Sequence, residues 1–190
     1  MKIGIDIDGV LTDISRFYLD YGAKFALENN IDEIADPNGY EIEDILNLKE
    51  GVHKEFWDKY DNYYTKAKYT REFAPEIIGK LKEEGNEIQL ITARNPKSEE
   101  SKSWTTDWLK ENNIYYDKLV FTDKKFEYCK NNNIDLMIED SINHIIETSK
   151  IIPVICLDAR YNETCRGNNI TRCYSWYDIY SKIKKMKFSL

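Results

Sequence analysis

The 190-residue chain is 42% hydrophobic and carries a formal net charge of −7, which fits one domain of ordinary size with a real core and excludes disorder as the default. The acidic balance speaks against a nucleic-acid polymer as partner, since such binding rests on broad basic surfaces. It leaves open a small anionic substrate, because a metal or a few cations reverse the local field.

The first segment, KIGIDI, reads as a strand: Ile3, Ile5 and Ile7 alternate with Gly4, Asp6 and Asp8, and Gly9 ends it. Two carboxylates at one strand end repel each other, and a buried carboxylate resists ionising. Either water covers that face or a positive group belongs there. Some sixty residues follow with no convincing strand, too long a detour for a simple crossover. Within them Phe17, Tyr21 and Phe25, and later Phe56, Tyr60 and Tyr63, recur at helical spacing, with turn-rich ADPNGYEIED and a short helix between. A small helical subdomain inserted after the first strand is expected, and Asp13 is placed to cap its first helix.

From Pro75 the rhythm is regular. PEIIGKLKEEG has proline at its start and glycine at its end, as helices prefer. EIQLIT (87–92), KLVFT (118–122), DLMI (135–138) and IIPVICL (151–157) read as strands, with Pro153 marking an edge strand or a strand's beginning. Helices are expected at SEESKSWTTDWLKENN from Ser98, at 124–133, at 141–150 and at SWYDIYSKIKKM, capped by Ser175. Strands alternating with helices imply a parallel sheet with right-handed crossovers. No apolar run approaches the roughly 18–20 residues of a membrane span. Cys129, Cys156, Cys165 and Cys173 show no CxxC spacing; without a secretory signal, reduced thiols and a cytoplasmic protein are expected.

Ligands of such sheets bind beyond the carboxyl ends of the strands. There the expected strands carry Asp6 and Asp8, then Thr92 and Arg94, then Asp123, Lys124 and Lys125, then Glu139 and Asp140. Each has a bland reading: a wet strand face, an ordinary strand-ending Thr, a solvated lysine pair, helix N-terminal charge. Their coincidence at one edge favours a site, and converging carboxylates suit Mg²⁺, which takes oxygen ligands and is often completed by a substrate phosphate.

DIDGV, the Thr of LITAR, the Lys of TDKK and the acidic pair of IEDS together resemble, in order, the four motifs of haloacid-dehalogenase-like (HAD) phosphatases. DxDGVLxD with a helical cap directly after it is most similar to the 5′-nucleotidase, deoxy-type C branch, and ARYN (159–162) with Ser175–Trp176 resembles its bacterial members. The resemblance implies an α/β fold: a three-layer Rossmann-like parallel sheet, the core comprising residues 1–12 and 74–190, with a helical cap at 13–73. It implies Asp6 as nucleophile and Asp8 as acid–base. It further implies Thr92 and a lysine on the phosphate, and Mg²⁺ held by Asp6, by the backbone carbonyl of Asp8 and by Asp140, with Glu139 behind. Lys124 is chosen because the family pattern is Asp followed by Lys, although spacing does not separate it from Lys125. Arg94 contacts substrate or pairs with a neighbouring acid. Of the insertion's aromatics, which include Tyr18, Tyr64 and Tyr69, Phe56 and Trp57 are taken to stack on a base.

The expected activity is Mg²⁺-dependent hydrolysis of a (deoxy)nucleoside monophosphate, with a sugar phosphate or other small phosphorylated metabolite as the alternative. A receiver domain would present an isolated phosphoacceptor on a middle strand and no insertion, which this chain does not match.

Overall fold

The computed structural model describes residues 1–31, 36–46, 52–66, 70–95 and 97–187; Tyr69 lies outside them. Six strands form one parallel sheet: β1 (Lys2–Ile5), β2 (Glu87–Thr92), β3 (Lys118–Phe121), β4 (Leu136–Glu139), β5 (Val154–Leu157) and β6 (Ile170–Cys173), in the order β3-β2-β1-β4-β5-β6. The helices are α1 (Ile14–Glu28), α2 (Ile42–Leu46), α3 (Val52–Thr65), α4 (Ala74–Glu83), α5 (Glu99–Glu111), α6 (Lys125–Asn132), α7 (Ile142–Thr148) and α8 (Trp176–Lys187). This is the Rossmann-like α/β arrangement, and the strand order reverses direction beside β1, where such sheets bind ligands.

Two apolar layers hold the sheet. On one face Ile3, Ile5, Ile88, Leu90, Leu136 and Ile138 pack with α4, α5 and α8. On the other, Ile91, Met137, Val154 and Cys156 meet residues of α6 and α7. The central strand carries Gly4 on this second face, where a Cβ would stand 2.8 Å from Met137 Sδ and 2.9 Å from Ile91 Cδ1; any side chain there would force the layers apart.

Helices α1–α3 build a separate cluster from Phe17, Phe25, Ile42, Ile45, Phe56 and Tyr60. Asp13 caps α1 by accepting from the Arg16 N–H at 3.1 Å. The chain leaves and re-enters the sheet side by side: Thr12 bridges Thr70, and the Arg71 N–H donates to the Leu11 carbonyl at 2.7 Å.

Pro153 stands just before β5, which is an interior strand flanked by β4 and β6, so it marks a beginning and not an edge. The edge strand on this side of the sheet is β6, whose short, partly exposed ITRC carries too little periodic signal to be read as a strand. Cys129, Cys156, Cys165 and Cys173 are all free and buried. No helix among the described residues is long and apolar enough to cross a membrane.

Candidate active site

Asp6 follows β1 directly, its N–H bonded at 3.0 Å to the Ile138 carbonyl, so the sheet ladder fixes its backbone beside β4. Its carboxylate is buried and lies 2.6 Å from the Lys125 ammonium, which also reaches Glu139 Oε2 at 2.9 Å. Burial, and next the neighbouring Glu139, push the Asp6 pKa well up, against the pull of Lys125. For Lys125, burial acts downward, but Asp6 and Glu139 outweigh it and the net shift is upward.

The lysine beside Asp6 is therefore Lys125, and the expectation for Lys124 is corrected. Lys124 is exposed at the N-cap of α6, its N–H held by Thr122 Oγ1 at 3.1 Å. Successive positions at a helix start point about 100° apart, and the turn out of β3 gives the inward direction to the second lysine.

Asp8 sits where the chain bends, before Gly9 at φ 86°. Arg94 grips it with Nε at 3.0 Å from both carboxylate oxygens and Nη2 at 2.7 Å from Oδ1. The Tyr64 hydroxyl donates to the same Oδ1 at 2.5 Å, and Thr92 Oγ1 lies 3.5 Å from Oδ2. Burial works to raise the Asp8 pKa, yet Arg94 and the hydrogen bonds prevail and hold it below the usual carboxylate value. Of the two roles expected for Arg94, the structure shows pairing with an acid; its Nη1 rests on Thr105 Oγ1 at 3.1 Å.

At the end of β4, Glu139 is wholly occupied: Oε1 accepts from the N–H groups of Asp140 and Ser141 at 3.2 and 3.1 Å, and Oε2 from Lys125. Asp140 differs. Tyr161 donates to its Oδ2, while its buried Oδ1 has no partner. Burial, then Glu139, raises its pKa to about 8. Asp6, Glu139 and Asp140 each offer a carboxylate oxygen within 4.8 Å of the others. An all-oxygen donor set with one orphaned oxygen fits a hard divalent cation. Gly9 permits this approach, since a Cβ there would lie 1.8 Å from Asp140 Oδ2.

Asn162 now has a physical role. It is fully buried, and its Nδ2 donates to the carbonyls of Asp140 and Leu157 at 2.8 and 2.9 Å. Its Oδ1 accepts from the Ala159 N–H at 3.0 Å and from Arg172 Nη1 at 2.9 Å. The residue thus ties the Asp140 loop to the end of β5. The Ser175–Trp176 pair closes another joint, with Trp176 Nε1 donating to the Val10 carbonyl at 3.2 Å and Ser175 Oγ accepting from the Asp178 N–H at 3.2 Å.

Above these groups opens a cavity of about 740 Å³ that also meets Trp57, Tyr18, Asp61 and Asn62 of the helical insertion, Tyr40 and Glu41 ahead of α2, and Trp104 of α5. Trp57 lines it, but Phe56 does not. Phe56 is 0% exposed, packed among Phe17, Phe25 and Tyr60, so its expected stacking role is corrected. Adjacent helical positions cannot both face inward and outward, and here Phe56 belongs to the helices' own core. His53 and His144 both border the cavity. Tyr64 and Tyr161 carried no separate sequence signal: the first shared the helical spacing of core aromatics, and the second sat inside ARYN without a chemical reason of its own.

Comparison with known proteins agrees with this geometry. Residues 1–188 match the family described as 5′ nucleotidase, deoxy (pyrimidine), cytosolic type C protein. A nucleotidase of Clostridium acetobutylicum is 30% identical over 189 residues, covering 98% of this chain and 95% of that protein. In fold, the chain is similar to a β-phosphoglucomutase from Clostridium difficile (TM-score 0.65, 16% identity, 99% and 96% of the two chains). A HAD-superfamily hydrolase from Ehrlichia chaffeensis is also similar (TM-score 0.56, 18% identity, 98% and 97%). The chain has the fold of these HAD-superfamily structures, is a phosphoric monoester hydrolase and belongs to the 5′ nucleotidase, deoxy (pyrimidine), cytosolic type C family.

Proposed function

We propose that the protein is a Mg²⁺-dependent phosphomonoesterase that hydrolyses a (deoxy)nucleoside monophosphate through an aspartyl-phosphate on Asp6. The observation that carries this reading is the pairing of Asp6 with the Lys125 ammonium at 2.6 Å, beside the orphaned Asp140 Oδ1, at the floor of an aromatic-walled cavity. Residues 13–73 act as a cap over a core of residues 1–12 and 74–190. With four buried free thiols, a cytoplasmic setting suits the chain.

Asp6, the backbone carbonyl of Asp8 and Asp140 would hold the cation, with Glu139 orienting its neighbours. When bound, Mg²⁺ supplies charge neutralisation for the carboxylates and the phosphoryl oxygens. Lys125 favours the ionised form of Asp6 and orients it, Thr92 offers its hydroxyl to a phosphoryl oxygen, and the arriving dianion competes with Asp8 for Arg94. Loss of Arg94 removes the group that holds Asp8 ionised, so Asp8 can take up a proton. An Asp6 carboxylate oxygen then bonds to phosphorus as the ester P–O bond breaks, and Asp8 gives its proton to the leaving oxygen. Water next attacks phosphorus, the acyl-phosphate P–O bond breaks, and Asp8 takes the proton of that water. Most of the acceleration comes from positioning and charge complementarity.

Trp57 supplies a stacking face for a base. A second reading, a sugar phosphate, is favoured by one observation: Glu41, Asp61 and Asn62 line the same cavity and suit hydroxyl groups. A screen of nucleoside monophosphates and sugar phosphates, with Mg²⁺ and with chelator, separates them. Nucleotides are expected to be preferred, with no turnover in chelator. Faster sugar-phosphate turnover would overturn the substrate reading alone, and indifference to chelator would overturn the metal.

A further inference from the structure

Tyr64 belongs to α3, in the cap, yet its hydroxyl reaches a group at the end of β1. The direction of each bond in this contact follows from donor inventory. Asp8, paired with Arg94, is an acceptor only, so the Tyr64 O–H donates to it at 2.5 Å. The Tyr64 oxygen is then free to accept from the Thr12 hydroxyl at 2.7 Å, and the Thr12 oxygen accepts from the Gly9 N–H at 3.2 Å. The relay runs Gly9 to Thr12 to Tyr64 to Asp8, beginning and ending in the loop that carries Asp8. Its middle member comes from another layer of the molecule.

The ring is fixed independently of that hydroxyl. It packs against Phe17 at 4.8 Å and Trp57 at 5.7 Å, and the Arg94 guanidinium lies over it at 5.3 Å. Trp57, one of the aromatic side chains lining the cavity, therefore touches the side chain that holds the carboxylate below. Tyr64 is buried at 5% exposure, so water does not compete for this bond.

We propose that Tyr64 is a positioning residue for Asp8: the cap carries the hydroxyl that aims the acid–base carboxylate, so proton donation to the leaving oxygen operates only with α3 seated on the core. This rests on the acid–base reading of Asp8 given above.

The test compares two esters of similar shape and unequal need for a proton. Benzyl phosphate leaves as an alkoxide and requires one, whereas p-nitrophenyl phosphate leaves as a stable phenolate and does not. The quantity read is kcat/KM, which reports transfer to the enzyme and not the later hydrolysis. Tyr64→Phe is expected to lower kcat/KM for benzyl phosphate by about tenfold or more, within the range of acid catalysis, and for p-nitrophenyl phosphate by less than about threefold. Tyr60→Phe, which removes a cap hydroxyl bonded to Glu28 at 2.8 Å away from the site, is the control and is expected to change neither ratio. An equal loss on both esters, with or without a lowered Tm, would show a merely structural tyrosine and overturn the proposal. So would no loss on either. If the wild-type protein releases phosphate from neither ester, the phosphomonoesterase reading itself falls, and the positioning role with it.

Discussion

The floor and the roof of the site are held by opposite means. The floor is electrostatic: Asp6, Lys125, Glu139 and Asp140 are all nearly or fully buried, each placed by the end of a strand or the first turn of a helix. The roof is held by apolar packing: α1–α3 lock together by stacked and edge-to-face rings, while Trp57, Asp61, Asn62 and their neighbours face the cavity. In the floor a side chain's chemistry and its position are inseparable. In the roof neighbouring aromatics of the same chemistry do different jobs, as Phe56 and Trp57 show.

The largest effect that would break this contrast belongs to Asp6, the proposed nucleophile. Asp6→Asn is expected to lower turnover by about four orders of magnitude or more, measured as phosphate release, while the fold persists. Retained activity would remove Asp6 from the chemistry.

The two lysines sharpen it next. Lys125→Ala leaves two buried carboxylates without their cation and is expected to cost about 3–5 kcal/mol of stability, read by urea unfolding without added metal. Lys124→Ala, at an exposed position, is expected to stay within about 0.5 kcal/mol. Equal effects would mean that the inward lysine is misplaced.

In the roof, Phe56→Ala is expected to cost about 3–5 kcal/mol of stability by opening a cavity. Trp57→Ala should instead raise KM for a nucleotide about tenfold or more, the loss of one stacking face, with kcat nearly unchanged. A stability loss for Trp57 matching that of Phe56 would erase the distinction between them.

Asn162 is a smaller, floor-side test. Asn162→Ala strips hydrogen bonds from two buried carbonyls and should cost about 1–3 kcal/mol. It should also weaken Mg²⁺ binding, followed by titration calorimetry. Unchanged metal affinity would make the residue a mere strut of β5.

The mildest expected effect is one of pH. Asp140 binds its proton more tightly in the folded state, with its pKa raised to about 8 by burial and Glu139. Its contribution to metal-free stability is complete below the ordinary carboxylate range and is lost as pH rises through about 8. Mg²⁺, which needs the ionised form, should therefore raise Tm more at alkaline than at mildly acidic pH. A shift independent of pH would contradict this.

These contrasts explain what was legible in the sequence. Strand ends could be read because period-two segments announce themselves and topology gathers their carboxyl ends at one edge. Asp6, Asp8, Thr92, Glu139 and Asp140 followed from that logic. Two adjacent lysines exceeded it, because Lys124 and Lys125 point about 100° apart at the helix start and only the turn out of β3 decides which one faces inward. The inserted helices were visible as periodic aromatics, but periodicity marks the buried face and says little about which ring borders a cavity. Tyr64 was hidden for that reason: it keeps the spacing of a core residue and spends only its hydroxyl on the site. The β6 strand and the Tyr161–Asn162 clamp depend on tertiary pairing that a short polar segment does not advertise.

The central claim is that phosphate passes through a covalent bond to Asp6. Acid quenching during turnover of a nucleoside monophosphate, followed by borohydride reduction and peptide mass analysis, tests it directly, because an aspartyl-phosphate is reduced to homoserine. The account predicts homoserine at position 6 when substrate and Mg²⁺ are both present, and none when either is withheld. Continued turnover with an unmodified aspartate at position 6, or with the label at another residue, would contradict it.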